Sequence, residues 1–212
     1  MASRGFVIGI DEVGRGALAG PVVVAVVLLP SRSAAAIIKS ANLGILKDSK
    51  KLSAPRREAW AKYFRRHSEV GFAIARVYPR GIERLNISAA ANRAAERAFG
   101  RLTKKSGVSR TTPAFLDGGL FLGSRANQQK QYKKAKTIVK ADENIVAVAA
   151  ASIIAKVARD RFMTKLAAKH PRYHFEIHKG YGTAAHRAAL AKYGPCEAHR
   201  LTFLRNRLII KR

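Results

Sequence analysis

Phe6-Val-Ile-Gly-Ile10 and Val22-Val-Val-Ala-Val-Val-Leu-Leu29, joined by a Gly-rich connection, are the two runs whose reading decides the fold class. Both are short and β-branched, which marks strands. The second has almost no polar alternation, so it is expected to be buried on both faces, at the centre of a sheet with helices packed against it. Downstream, Ser53-Ala-Pro55 supplies an N-cap and an early-turn proline for a helix to about residue 67. A third strand follows at 70–77 and an Ala-rich helix from 88 to about 102. Short strands are expected at 114–116 and 137–139, then a long helix from 144 to about 169 that Pro171 ends. Strands mixed with helices predict an α/β core over 1–169. The looser Gly/His/Arg-rich stretch over 170–212, with a helix at 183–193, reads as a helical appendage within one domain. The basic run 130–140 reads as a solvated face.

The 212 residues include 41 Lys+Arg against 13 Asp+Glu, a formal net charge of +28. With 48% hydrophobic residues the chain still builds a core, which excludes a disordered basic tail. Such a surface wants a polyanion, with nucleic acid ahead of anionic membrane because no lipidation or amphipathic anchor pattern accompanies the charge. The single cysteine, Cys196, excludes an internal disulfide and a thiolate metal cluster, and suits a reducing cytoplasm. No signal peptide is recognisable, and the apolar run 18–30 contains Gly20 and Pro21 and is shorter than the ~20 residues a bilayer requires. A cytoplasmic, non-membrane protein is expected.

In so basic a chain the acids are the informative residues. Asp11-Glu12 follows an apolar strand, Asp117 closes Ala-Phe-Leu, and Asp142-Glu143 precedes a long apolar helix. Each has a plainer reading: Asp11-Glu12 as a surface turn, Asp117-Gly118 as a hairpin turn, Asp142 as an N-cap. Taken jointly, acids at the ends of neighbouring buried strands repel unless a cation neutralises them. Oxygen ligands without a cysteine or histidine set point to Mg²⁺ or Mn²⁺. His170, His174 and His178 are spaced four apart, but Pro171 interrupts a helix there and no carboxylate or cysteine completes a zinc set, so a structural zinc site is not expected.

Gly9-Ile-Asp11-Glu12-Val-Gly14-Arg15-Gly16-Ala-Leu-Ala-Gly20-Pro21-Val resembles the N-terminal signature of bacterial and archaeal ribonuclease HII, the type 2 ribonuclease H. The resemblance continues through Leu46-Lys47-Asp48-Ser49-Lys50-Lys51-Leu52-Ser53, Asn86-Ile87-Ser88, Leu116-Asp117-Gly118 and Lys140-Ala-Asp142. It ends with Ala150-Ala-Ser152-Ile-Ile-Ala-Lys156-Val-Ala-Arg159-Asp160, Lys179-Gly180-Tyr181-Gly182-Thr183 and His199-Arg200. These motifs span residues 6–204 in the family's order. The resemblance implies a ribonuclease H-like fold, a mixed five-stranded sheet flanked by helices, with a C-terminal helical part that grips substrate.

It also implies hydrolysis of RNA in RNA/DNA hybrids and a cut 5′ of single ribonucleotides in duplex DNA, leaving 3′-hydroxyl and 5′-phosphate ends. The implied metal and catalytic residues are Asp11, Glu12, Asp117 and Asp142. Two Mg²⁺ or Mn²⁺ ions are expected per site, Asp11 bridging both, Glu12 and Asp117 holding one, and Asp142 completing the other. Glu143 is the local competitor for the fourth place, because type 3 enzymes resemble this site but carry Glu there. Gly14, Arg15 and Gly16 resemble the family's reader of the ribose 2′-hydroxyl, and Tyr181 the residue that packs on the sugar at the RNA-to-DNA junction. Lys47, Ser49, Lys50, Ser152, Lys156 and Arg159 are candidate phosphate contacts, with Lys156 and Arg159 on one helix face. A monomer is expected, and a sliding-clamp contact is left open. A basic structural RNA-binding protein is the rival that the charge alone would suit. A type 3 ribonuclease H is a second rival, disfavoured by the intact Gly-Arg-Gly loop and the lack of an extra N-terminal domain in this sequence.

Overall fold

The β-branched runs form β1 (Phe6–Val13) and β2 (Val22–Pro30), an antiparallel pair that runs from Phe6 opposite Pro30 to Val13 opposite Val23. The computed structural model describes residues 5–44, 46, 49 and 51–205. Three more strands, β3 (Gly71–Val77), β4 (Ala114–Asp117) and β5 (Ala135–Ile138), complete a sheet of order β3-β2-β1-β4-β5. β3 pairs antiparallel with β2, whereas β1, β4 and β5 run parallel. The expected mixed five-stranded sheet is therefore present, with one correction: β1, not β2, holds the central place. β2 lies between β1 and β3 and is buried along its whole length because both of its faces are covered.

The helices are α1 (Ala34–Ser40), α2 (Ala54–Arg66), α3 (Pro79–Leu85), α4 (Ile87–Ser106), α5 (Arg125–Gln131), α6 (Ala141–Asn144), α7 (Val146–Lys169), α8 (Phe175–His178), α9 (Ala184–Tyr193) and α10 (Leu201–Arg205). Alternate residues of β2 divide between two cores. Val22, Val24, Val26 and Leu28 face α4, which presents Ala91, Ala95 and Phe99. Ala25, Val27 and Leu29 face α2 and α7, through Trp60, Phe64, Ala151 and Ile154. Full burial of each such valine or leucine contributes roughly 1.5–3 kcal/mol, so β2 is a large part of what holds the layers together. Small residues let α7 approach the sheet closely. A Cβ on Gly9 of β1 would stand 2.0 Å from the Ala147 carbonyl carbon, so glycine is required where the first turn of α7 crosses β1.

The long helix begins at Val146 rather than 144, because Ile145 adopts an extended conformation and separates off the short α6. It ends at Lys169, just before Pro171 as expected. The basic run 130–140 is not one solvated face: it contains the end of α5 and the edge strand β5. α1, α3 and α5 were not legible as helices, being only seven residues each and lacking a sustained apolar period. Residues beyond 169 share a third core with the rest of the chain, in which Phe175, Leu190 and Leu204 pack on Met163 of α7 and on Leu18 of the β1–β2 connection. Among the described residues no helix is long and apolar enough to cross a membrane.

Candidate active site

β1 runs three residues further than its apolar stretch, so Asp11 and Glu12 lie within the strand rather than after it. The parallel ladder pairs Ile10 with Leu116, which brings the next residue on each strand, Asp11 and Asp117, to the same edge of the sheet. Asp11, Glu12 and Asp117 line one cavity of about 130 Å³ together with Ser49, Ser152 and Lys156. Asp11 is 5% exposed. Burial pushes its carboxyl well above the usual carboxylate range, and the negative charges of Glu12 and Asp117 add to this, while hydrogen bonds from Ser152 and the Glu12 N–H oppose it. Glu12 is raised as well, first by burial, with Arg15 opposing and Asp117 reinforcing the shift. Its Oε1 lies 3.4 Å from Arg15 Nε, but its buried Oε2 has no hydrogen-bond partner.

Asp142 is buried on α6 but is not among the residues that line this cavity. The preceding residue is tied directly to the site, since the Ala141 N–H donates to Asp117 Oδ1 at 2.9 Å. Lys140 takes a left-handed conformation (φ 55°) to begin that turn. Glu143, the alternative fourth acid, faces outward and pairs with Lys51 at 3.7 Å. Burial thus distinguishes the two acids where the sequence left them adjacent.

The Gly14-Arg15-Gly16 turn leaves β1 beside these carboxylates. Gly14 has φ 88°, and a Cβ there would fall 2.2 Å from Arg159 Nε, so both the backbone and the space demand glycine. Gly16 is exposed with nothing near its Cβ position, which leaves its backbone approachable. The Arg15 side chain turns back, donating from Nη2 to the Gly119 carbonyl at 3.1 Å. Ser49 and Ser152 hydrogen-bond each other at 2.8 Å, both buried at the cavity wall. Lys156 lies on α7 one turn beyond Ser152 and pairs with Asp160 at 2.7 Å. Tyr181 reaches the same cavity from the loop after α8. Lys47 and Lys50 lie outside the described residues.

Arg159 corrects the expectation of a phosphate contact. It is fully buried, and its guanidinium donates to three backbone carbonyls, from Nε to Pro21 (3.0 Å), Nη1 to Lys179 (2.8 Å) and Nη2 to Ala19 (3.0 Å). It also lies 5.2 Å from the Tyr181 ring centroid. Sharing a helix face with Lys156 did not place it in solvent, because the β1–β2 connection and the Lys179 loop close over it. Arg200 does similar work and had been assigned no role: buried, it donates to the Gly20 carbonyl and, at 2.9 Å, to the Arg15 carbonyl. Together the two arginines hold the Gly-Arg-Gly turn and the Tyr181 loop in register.

Three imidazoles support the Tyr181 loop from behind. His178 stacks on His186 with centroids 4.3 Å apart, and His186 Nε2 lies 3.1 Å from His199 Nε2. His186 Nδ1 donates to the Tyr181 carbonyl, whereas His199 Nδ1 accepts from the Cys196 N–H. The network therefore assigns the shared proton to His199 Nε2, with both rings neutral. Burial pushes each of these two imidazoles down to about 4.

A family model described as Ribonuclease HII matches residues 8–206. The chain belongs to the ribonuclease HII family. The ribonuclease HII of Nitratidesulfovibrio vulgaris is 43% identical over 200 residues, which cover 92% of this chain and 84% of that one. That of Prochlorococcus marinus is 40% identical over 196 residues, covering 92% and 94%. The solved PCNA:RNase HII complex from Archaeoglobus fulgidus contains a chain that matches with TM-score 0.72 at 28% identity, covering 92% of this chain and 94% of its own. Bst-RNase HIII in complex with Mn²⁺ matches with TM-score 0.76 at 22% identity, covering 97% and 69%, a likeness of fold. As a ribonuclease HII the chain is an endoribonuclease acting on RNA/DNA, which removes the purely structural RNA-binding rival.

Divalent-metal dependence is typical of this family, and the residues present fit such an ion. The donors are all oxygen, three carboxylates crowd one cavity, and Glu12 Oε2 is a buried acceptor without a donor. Each raised carboxyl is an acid whose charge the protein alone leaves poorly compensated, which a bound cation would correct.

Proposed function

We propose that this ribonuclease HII hydrolyses the RNA strand of RNA/DNA hybrids and nicks duplex DNA 5′ of a single embedded ribonucleotide, leaving 3′-hydroxyl and 5′-phosphate ends. Asp11, Glu12, Asp117 and Asp142 would hold two divalent cations, Mg²⁺ or Mn²⁺. Bound there, such a pair supplies an activated water, neutralises the scissile phosphate and stabilises the leaving oxygen. The observation that carries the reading is the one cavity where the carboxylates of buried Asp11 and of half-buried Glu12 and Asp117, one with an unpartnered oxygen, meet Tyr181.

The chain's own residues select and orient the substrate. Backbone groups of Gly14, Arg15 and Gly16 approach the ribose, where a 2′-hydroxyl can donate and accept but a deoxyribose cannot. Tyr181 packs on the sugar beyond the cut, held by the Arg159 guanidinium behind it. Ser49, Ser152 and Lys156 face phosphate oxygens at the cavity wall, with Lys47 and Lys50 assigned to the same task. Residues 170–212 serve as the gripping extension of the 1–169 core, acting as a monomer. The Archaeoglobus relative was solved in complex with PCNA, so a sliding clamp is the first protein partner to test by co-elution.

The experiment is a duplex DNA carrying one ribonucleotide, incubated with Mg²⁺, Mn²⁺ or EDTA. A metal-dependent nick 5′ of the ribonucleotide is expected. Cleavage of long hybrids alone, with the single ribonucleotide untouched, would return the chain to a type 3 specificity.

A further inference from the structure

In the sequence His170 lacks metal-binding neighbours, because Pro171 breaks the spacing to His174 and His178. Folding supplies them from the far side of α9. His170 caps α7, and the segment that returns after Tyr193 lays Cys196 and Glu197 against it. His170 Nε2, Cys196 Sγ and a Glu197 carboxylate oxygen lie within 4.8 Å of one another, with 3.4 Å between His170 Nε2 and Glu197 Oε1. A tetrahedral ion with donor bonds of ~2.0–2.3 Å spaces its ligands roughly 3.3–3.8 Å apart, so a small closure completes such a set. The Glu197 side chain is 73% exposed and can adjust without displacing packed neighbours, whereas His170 is only 16% exposed.

We propose that His170, Cys196 and Glu197 form a second cation site, chemically distinct from the carboxylate site, that takes Zn²⁺ or a similar borderline-soft divalent ion. One nitrogen, one sulfur and one oxygen donor suit such an ion and not Mg²⁺, which takes oxygen ligands. His170 and Glu197, though not Cys196, also line a cleft of about 300 Å³ with Tyr78, Phe162 and Leu166 and with the cations Arg80 and Lys169, so solvent reaches these two donors from that side. Binding releases the Cys196 thiol proton to solvent and leaves a thiolate on the ion. Cys196 Sγ also lies 3.3 Å from His199 Nδ1, a contact that loses its S–H donor when the thiolate forms, while the Cys196 N–H keeps that nitrogen as its acceptor at 3.0 Å.

The site has a structural consequence. The segment it anchors continues into Ala198, whose carbonyl accepts from the Gly20 N–H at 2.8 Å, and Arg200, which holds the Arg15 carbonyl. An ion there ties the end of α7 to the strap that braces the Gly-Arg-Gly turn.

The test uses Co²⁺ as probe on the full chain in excess Mg²⁺, which keeps the carboxylate site occupied. Cys196 is the only cysteine, so a thiolate-to-Co²⁺ charge-transfer band reports this site alone. The expected result is a saturable band of one equivalent, bleached by Zn²⁺, abolished in Cys196→Ser and unchanged in Asp11→Asn. His170→Asn and Glu197→Gln should each weaken Co²⁺ binding about tenfold or more. Zn²⁺ should also raise the melting temperature of the parent and not of Cys196→Ser, with basal Mg²⁺-dependent cleavage equal in both. Absence of the band at saturating Co²⁺ overturns the proposal. So does a band of undiminished affinity in both His170→Asn and Glu197→Gln, which would leave a thiol binding alone and His170–Glu197 a simple ion pair.

Discussion

Replacing Arg159 by alanine separates a buried brace from a phosphate contact. The side chain is fully buried, and deleting it strips a charged donor from the carbonyls of Ala19, Pro21 and Lys179. A buried acceptor left without a partner costs about 1–3 kcal/mol, and water can reach the Lys179 carbonyl more readily than the other two. Two unsatisfied carbonyls, one partly rescued, and the lost packing of the stem give about 3–5 kcal/mol of destabilisation. That is a large share of the ~5–15 kcal/mol typical of a folded domain. Arg159→Lys, which keeps a charge but not the planar fork, should lose less and remain folded. The assays are the urea unfolding midpoint and the salt dependence of binding to a ribonucleotide-containing duplex. Arg159→Ala is expected to unfold at much lower urea, while Arg159→Lys keeps the parent's salt slope. A phosphate contact predicts the reverse: stability within ~0.5 kcal/mol and a salt slope shallower by about one ion. That pattern would refute the buried-brace reasoning.

Asp142→Asn should abolish metal-dependent cleavage, whereas Glu143→Gln, which alters only an exposed pair with Lys51, should retain it in the same nicking assay. Tyr181→Ala should keep cleavage of long hybrids and lose its advantage on a single embedded ribonucleotide, read as the ratio of the two kcat/KM values. Acid should weaken the C-terminal core through His186 and His199. Each titrates near 4 when folded against about 6.5 unfolded, so the unfolded chain takes up protons first as pH falls. Their stabilisation is complete above pH 6.5 and declines towards pH 4, reaching a loss on the order of 2–4 kcal/mol for the pair by pH 5. Thermal unfolding at pH 7.5 and 5.0 checks this, and a His186→Gln/His199→Gln variant should show a flatter profile.

What the sequence by itself determined was chemistry laid down locally. The strands β1 and β2, the long α7 and its proline stop follow from apolar period and backbone stereochemistry within short windows. The rarity of acids drew attention to Asp11-Glu12, Asp117 and the Asp142-Glu143 pair, and it was the resemblance to the family's motifs that narrowed these to Asp11, Glu12, Asp117 and Asp142. Gly14 was marked by the turn it had to make. Tertiary structure alone decided the matters that depend on residues far apart in the chain. It placed β1 at the centre of the sheet through its parallel pairing with β4, more than a hundred residues away in the register of Ile8 with Ala114. It separated Asp142 from Glu143 by burying one and exposing the other. It turned Arg159 from a surface charge into a brace, since only the packed β1–β2 connection supplies carbonyls to its guanidinium. And it brought Cys196 and Glu197 to His170, a convergence with no local period to announce it, because side chains from distant segments meet only when the core between them has formed.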